Sequence, residues 1–159
     1  MNGITVKSLC QEVPIARTTF YAYHENLDDV LLEIEDEFVN GIKLLAKTMS
    51  GGNMENLDFT AYFNAVMTHI NDNWETVEAL LVIYLDIRFM EKWKEAIKYR
   101  FKIQLPNKVM IMNYNLIAEA IACSVLGAYA HWIKHPEEIN AKELSRVTQA
   151  MISVIDELI

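Results

Sequence analysis

The fold of this chain is decided by residues 4–31, which read ITVKSLCQEVPIARTTFYAYHENLDDVL. Thr5 is placed as the N-cap of a short helix, and Pro14 ends that helix because proline has no backbone N–H to continue it. Residues 16–23 form a second short segment, and its helical neighbours favour a helix over a strand. The stretch therefore predicts a helix, a short turn, a second helix and, from Asn26 onward, a third.

The third helix is predicted to be long and amphipathic. Its apolar residues recur at helical spacing: Leu31, Ile34, Phe38, Ile42 and Leu45. Asn26 suits the N-cap position, and Asp28 and Asp29 favour the positive end of the helix dipole. Residues 50–53, Ser-Gly-Gly-Asn, end this helix and are the clearest linker in the chain. We therefore predict one region over residues 1–48 and a second over residues 53–159.

The second region is predicted to be helical throughout. Residues 59–74 and 89–101 carry aromatic and aliphatic side chains at helical spacing, and residues 71–73 mark a break. Residues 76–85 are apolar and are expected to form a short buried helix. Pro106 separates this part from the last two helices.

Residues 109–133 are apolar on nearly every side. A membrane span over residues 116–133 is disfavoured because Glu119 lies within it, and a carboxylate in lipid is expensive. We expect instead a central helix that is covered by its own domain on one side and by a partner on the other. The last helix begins at Asn140 as N-cap, with Glu143 three residues later as in a capping box.

The composition agrees with an all-α domain. The chain has 159 residues, of which 52% are hydrophobic, with only 5 Gly and 3 Pro. These values exclude a disordered or collagen-like chain, and they leave too few turn residues for an all-β fold. The two cysteines, Cys10 and Cys123, are expected to be small core residues in a reducing cytoplasm. No charged segment followed by an apolar run marks a signal peptide, so we expect a cytoplasmic protein.

Charge is distributed unevenly along a chain whose formal net charge is −8. Residues 1–40 hold two basic residues against eight acidic ones, a net charge of −6, whereas residues 88–108 have a net charge of +5. An acidic balance gives no general attraction to nucleic acid or membrane. Lys94, Lys98 and Lys102 line one helix face, which is usually solvated; the alternative is that it binds an anionic effector or an acidic partner surface.

No motif in the chain nominates catalysis. A Ser-His-Asp order, a phosphate-binding glycine loop and a dinucleotide fingerprint are all absent from the sequence. His131 and His135 are four residues apart, but Pro136 follows at once, so they are more naturally partners of a helix C-terminus than metal ligands. We therefore expect neither an enzyme nor a metal or other cofactor.

The run Arg17-Thr18-Thr19-Phe20-Tyr21-x-Tyr23, followed by Asn26 and Asp28-Asp29, is the most specific pattern in the chain. With the helix and turn before it, this run resembles the helix-turn-helix of the tetracycline-repressor-like (TetR/AcrR) family of bacterial transcriptional regulators. In a helix-turn-helix the second helix is presented to the major groove. The resemblance implies a ligand-responsive regulator that binds operator DNA as a homodimer and holds a small-molecule effector in its larger part.

The resemblance also implies which residues contact DNA. They are Thr5, Lys7, Arg17, Thr18, Thr19, Tyr21 and Tyr23. Thr5 would cap the first helix near a phosphate, the residues from Arg17 to Thr19 would open the recognition helix toward the bases, and the two tyrosines would meet the backbone or base edges. Phe20 would instead anchor the helix to the core.

The chain departs from the family pattern at its start. The family has a further helix before this motif, a glycine where this chain has Pro14, and a serine cap where it has Ala16. Without that helix, Leu9, Phe20 and Leu31 are expected to lack packing partners, and binding of DNA by the 159-residue chain is expected to be weak. The acidic residues 1–40 leave an alternative, a dimeric helical binding or scaffold protein of the same fold that has lost DNA binding.

Two further sites are predicted in the second region. An apolar or aromatic ligand would be bound by Tyr62, Trp74, Tyr84, Phe89 and Trp93, although aromatic residues at helical spacing are more often plain core. A homodimer is expected through the last two helices, where small residues allow close approach and an apolar seam repeats at steps of three and four. The interface residues are Ala118, Ala122, Gly127, Val147, Met151, Val154 and Leu158.

Overall fold

The computed structural model describes residues 4–49, 58–104 and 113–158. Within these residues all regular secondary structure is helical, which confirms the all-α prediction. The helices are α1 (Val6–Glu12), α2 (Arg17–Tyr23), α3 (Leu27–Met49), α4 (Phe59–Asp72), α5 (Trp74–Glu78), a π-helical turn (Ala79–Ile83), α6 (Ile87–Gln104), α7 (Tyr114–Lys134) and α8 (Ala141–Leu158). The predicted linker at residues 50–53 and the punctuation at Pro106 lie outside the described residues.

The chain divides into two compact units, Met1–Glu37 and Phe38–Ile159. The first unit contains α1, α2 and the beginning of α3, and in it α1 packs against α2. The second unit contains the rest of α3 and all later helices. The division therefore falls inside a helix that the sequence predicts to be continuous.

The predicted helix starts in the first unit are confirmed by hydrogen bonds. The Ser8 backbone N–H donates to Thr5 Oγ1 at 3.1 Å, and the Thr5 N–H donates to Ser8 Oγ at 2.9 Å, which completes a capping box. At the start of α3, Asn26 Oδ1 accepts from the N–H groups of Asp28 and Asp29 at 2.8 and 3.1 Å. These bonds satisfy backbone donors that have no partner inside the helix.

The core of the second unit is built around α7, which packs against α6, α8 and the π-helical turn. At the centre of this core, aromatic rings from α3, α6 and α7 contact one another. Trp93 on α6 lies 4.9 Å from Phe38, 5.7 Å from Phe89 and 5.7 Å from Tyr129 between ring centroids. Such pairs contribute about 0.5–1.5 kcal/mol each beyond their buried area, so this cluster is a main source of stability.

The short buried helix predicted over residues 76–85 is wrong in its last part. The chain forms α5 and then a π-helical turn, closed by a 2.8 Å bond from the Tyr84 N–H to the Ala79 carbonyl. A π-helical turn adds a residue to the helical repeat, so the side chains after it no longer follow the apolar pattern. Leu85 then takes a left-handed conformation with φ of 50°, and residues 83–85 are exposed.

Gly41 on α3 is required by a close approach of His69 on α4. The His69 ring stacks on Phe38, and its Nε2 lies 2.9 Å from the Phe38 carbonyl oxygen, to which the N–H donates. A Cβ atom added at Gly41 would overlap the His69 imidazole. The ring is held on two sides and cannot move aside without losing these contacts.

Replacing Gly41 with alanine is therefore expected to destabilise the protein, although alanine is the better helix former. The overlap is expected to cost about 1–3 kcal/mol, more than the roughly 1 kcal/mol that alanine gains over glycine in a helix. Urea unfolding measures the difference. The control is Asn40→Ala at the neighbouring exposed position of α3, which should leave stability unchanged or slightly higher. A Gly41→Ala protein as stable as Asn40→Ala would contradict this packing.

Candidate functional site

The outward face of α2 carries the residues that the sequence predicts to contact DNA. Five of them are exposed in the structure: Arg17, Thr18, Thr19, Tyr21 and Tyr23. Phe20 points the other way and is only 3% exposed, with its ring 5.3 Å from that of Tyr21 in an edge-to-face contact. The helix therefore presents two hydroxyls, two phenols and one guanidinium while a single phenylalanine anchors it.

The remaining residues of this surface lie on and before α1. Lys7 is exposed, and Thr5 is exposed while its hydroxyl is held by the capping box. Ala16 is the N-cap of α2, and as expected for alanine its side chain makes no capping hydrogen bond. The expectation that Phe20 lacks packing partners is wrong, since its ring is buried; Leu9 is half-buried.

The second unit contains a small cavity between α3, α4, α6, α7 and α8. Its volume is about 30 Å³, which is room for about two water molecules. Most of the described lining residues are aromatic or aliphatic, the others being Thr148 and Arg100, and none of them is acidic. Phe59 and Ile152 are the half-buried members of the wall, so they mark the mouth of the cavity.

The structure brings together two of the five residues that the sequence predicts for a ligand pocket. Tyr62 and Trp93 both line the cavity. Phe89 is fully buried in the aromatic cluster beside Trp93, and Trp74 packs edge-to-face against Trp132 at 5.3 Å. Tyr84 is 62% exposed after the π-helical turn and does not line the cavity.

Sequence reasoning missed the charged residue of this cavity, Arg100 on α6. The side chain is only 5% exposed, and its guanidinium carbon lies 4.2 Å from the ring centroid of Tyr62 and 5.3 Å from that of Phe59. Arg100 Nε has no hydrogen-bond partner among the described residues. The basic composition of residues 88–108 was the available signal in the sequence, but nothing in the periodicity distinguishes Arg100 from the lysines of the same helix.

Burial governs the electrostatics of the cavity. Burial lowers the pKa of Arg100, and nearby Tyr62 and Tyr129 oppose that change. Burial also raises the pKa of Tyr62 and of Tyr129, so both phenols are neutral at pH 7. Cation–π contacts supply about 2 kcal/mol to a desolvated cation, whereas removing one ion from water costs several. The aromatic rings therefore do not offset the desolvation of Arg100.

Of the lysine stripe on α6, Lys94 and Lys98 pair with α7, whereas Lys102 is exposed. Lys94 Nζ donates to Glu119 Oε1 at 2.8 Å, and Lys98 Nζ donates to Glu119 Oε2 at 2.6 Å. Each lysine also pairs with a glutamate on its own helix, Glu91 or Glu95. We call Lys94, Lys98 and Glu119 the lysine clamp; it links α6 to α7. Hydrogen bonds from the two lysines lower the pKa of Glu119 to about 2.

The predicted dimer residues fall on both sides of α7 and α8. Ala118 and Ala122 are buried in the core of their own chain, so they are not available to a partner. The outward side of α7 consists of Leu116, Ala120, Cys123, Ser124, Gly127 and His131. On α8, Val147 is exposed and Met151 is half-buried, whereas the side chains of Val154 and Leu158 lie outside the described residues.

The exposed Cys123 is not the core residue that the sequence predicts.

Two further features of α7 bear on metal binding and on membranes. The rings of His131 and His135 lie 4.7 Å apart, and the described part of the chain holds no group of three metal-binding side chains. Tyr114–Lys134 is the one described helix long and apolar enough to cross a membrane, and 44% of its most apolar window is buried in the fold. Core helices of soluble proteins have the same properties.

No family model matches the chain, and neither the curated proteins nor the solved structures contain a significant match to it.

Replacing Glu119 with glutamine is expected to lower stability at pH 7 and to matter less in acid. The folded-state pKa of Glu119 is depressed, so the stabilisation is present above the ordinary value of 4.5 and is lost as the pH falls toward about 2. Urea unfolding between pH 7 and pH 3 measures the difference in free energy of unfolding between wild type and Glu119→Gln. We expect this gap to narrow below pH 4.5. The exposed Glu137→Gln serves as control and should show no gap. A gap that is constant across this pH range would contradict the lysine clamp.

Proposed function

We propose that this protein is a ligand-responsive transcriptional regulator that binds operator DNA as a homodimer through α1 and α2. The observation that carries the proposal is the face of α2, on which five polar or aromatic side chains are exposed beside the buried Phe20. A helix that is short, anchored by one ring and otherwise presents hydrogen-bonding groups is suited to the major groove.

The chemistry of this face fits the reading of base edges better than general attraction to phosphates. The hydroxyls of Thr18 and Thr19 and the phenols of Tyr21 and Tyr23 both donate and accept hydrogen bonds, as recognition of base edges requires. Only two basic residues, Lys7 and Arg17, lie within residues 1–40. The salt-dependent part of the affinity is therefore small, and binding by one protomer is weak.

A homodimer is supported by the outward sides of α7 and α8. Ala120, Ser124 and Gly127 repeat along one side of α7, and Val147 is exposed on α8, which packs against it. A Cβ atom at Gly127 would meet nothing within 4 Å in its own chain, so this side is open to a second copy. Isologous pairing of the two helices with their copies makes a four-helix interface.

A second candidate is a dimeric scaffold that does not bind DNA. The specific observation in its favour is the net charge of −6 over residues 1–40, which opposes the approach of a polyanion.

Selection from a random duplex library is expected to enrich an inverted repeat whose half-sites are about 10 base pairs apart. On the selected site, Tyr21→Ala should weaken binding in fluorescence anisotropy because Tyr21 is 57% exposed on α2. Arg17→Ala should weaken binding to all sequences and reduce the salt dependence, because it removes a phosphate-neutralising charge.

The matched control is Tyr84→Ala, because Tyr84 is 62% exposed but lies in the other unit. It should leave DNA binding unchanged. A library from which no sequence is enriched, with the chain folded and dimeric, would favour the scaffold.

The Gly127→Arg variant is expected to be a folded monomer. The longer side chain has open space within its own chain but would place a buried charge at the centre of the proposed interface. Size-exclusion chromatography with light scattering measures the mass, and circular dichroism confirms the helices. Thr68→Arg adds the same charge on the exposed side of α4 and should remain dimeric. A monomeric wild type at micromolar concentration would exclude the dimer.

A further inference from the structure

Arg100 is a buried cation in the second unit. It is buried against Tyr62 and Phe59, its Nε has no hydrogen-bond partner among the described residues, and no acidic residue lines the cavity it borders. On the same helix, Lys94 and Lys98 are each paired with two carboxylates. Carboxylates therefore meet Lys94 and Lys98, whereas none of the described residues that line the cavity beside Arg100 is acidic.

A planar guanidinium in an apolar site is suited to one kind of ligand group. It donates two parallel hydrogen bonds to a carboxylate, with more geometric specificity than an ammonium group provides. Apart from Thr148, whose hydroxyl donates to the Leu144 carbonyl, the rest of the described wall is apolar or aromatic, including Trp93, Val125 and Ile97. A ligand that satisfies both parts of this site has an acidic head and an apolar body.

We propose that this cavity binds a small organic carboxylate, with the carboxylate on the guanidinium of Arg100 and the aromatic or short aliphatic body at the mouth, beside Phe59 and Ile152. The proposal rests on the ligand-responsive part of the proposed function and names the class of its effector. It does not depend on DNA binding, because the second unit contains the whole site.

The size of the cavity limits the ligand and shows where it enters. A volume of about 30 Å³ does not hold a phenyl ring, so the mouth must widen by rotation of Phe59 and Ile152, the two wall residues that are only half-buried. Long-chain acids would require much larger movement of the buried walls. Phenylacetate and hexanoate are therefore the probes of choice.

The experiment compares each acid with its neutral isostere on the full chain. Isothermal titration calorimetry and thermal unfolding are measured with phenylacetate, phenylacetamide, hexanoate, hexanamide and inorganic phosphate. The acids are expected to bind about ten- to a hundredfold more tightly than the amides, the range that corresponds to hydrogen bonds with a charged group. Arg100→Met should lose this preference, and Arg100→Lys should retain only part of it because it lacks the planar fork.

Stability separates a ligand-binding arginine from a structural one. Because the charge of Arg100 is buried and no acidic residue is among the described residues that line the cavity, Arg100→Met is expected to unfold at the same temperature as the wild type or higher, while its response to acids disappears. Lys102→Met, which removes an exposed charge from the same helix, should keep the full response.

Several outcomes would overturn the proposal. They are equal binding of acid and amide, the same response to phosphate as to phenylacetate, no response to any probe at millimolar concentration, or an Arg100→Met protein that still prefers acids. Because these measurements contain no DNA, a protein that binds acids but fails to select a DNA sequence would retain this inference and lose the regulator.

Discussion

A helix that is apolar on nearly every side must be covered on nearly every side, and the second unit is organised by this constraint on α7. Ala118 and Ala122 are buried on the side of α7 that packs against α6, α8 and the π-helical turn. The carboxylate of Glu119 is accommodated because two lysines of α6 converge on it. The exposed side of α7 carries the small residues Ala120, Ser124 and Gly127 beside Leu116 and His131, and it is the surface at which we propose that a second copy packs.

The basic segment over residues 88–108 serves two different purposes within one helix. Lys94 and Lys98 face a carboxylate on α7, so their charges stabilise the packing of α6. Arg100 lies against aromatic rings, where the charge is desolvated without an acidic partner among the cavity walls. A buried cation in this state does not stabilise the fold, and a hydrophobic residue of similar volume would serve packing as well. This contrast is the basis of our proposal that Arg100 binds a ligand, whereas Lys94 and Lys98 are structural.

Periodicity and capping chemistry predict most of the described fold, because both depend on neighbours in sequence. The helix starts at Thr5 and Asn26 and the break near Asn73 belong to this class. The exposed turn at Tyr84 was missed because one π-helical turn shifts the phase of the pattern. At the cavity, Tyr62 and Trp93 were predicted from their spacing, whereas Arg100 and the lysine clamp depend on which helices meet, and pair contacts between distant helices leave no local signal.

In the proposed regulator the first unit contacts DNA and the second unit forms the dimer, and DNA binding depends on dimerisation. One protomer offers only Lys7 and Arg17 to the phosphates, so neither affinity nor orientation comes from charge alone. Two protomers joined through α7 and α8 double that number and make binding to the second half-site intramolecular, which raises avidity without any new contact. Recognition then depends on the hydroxyl and phenol groups of α2, which discriminate between bases at short range. An acidic chain can read DNA in this way only as a dimer, so the exposed side of α7 is a requirement of the function proposed for α2.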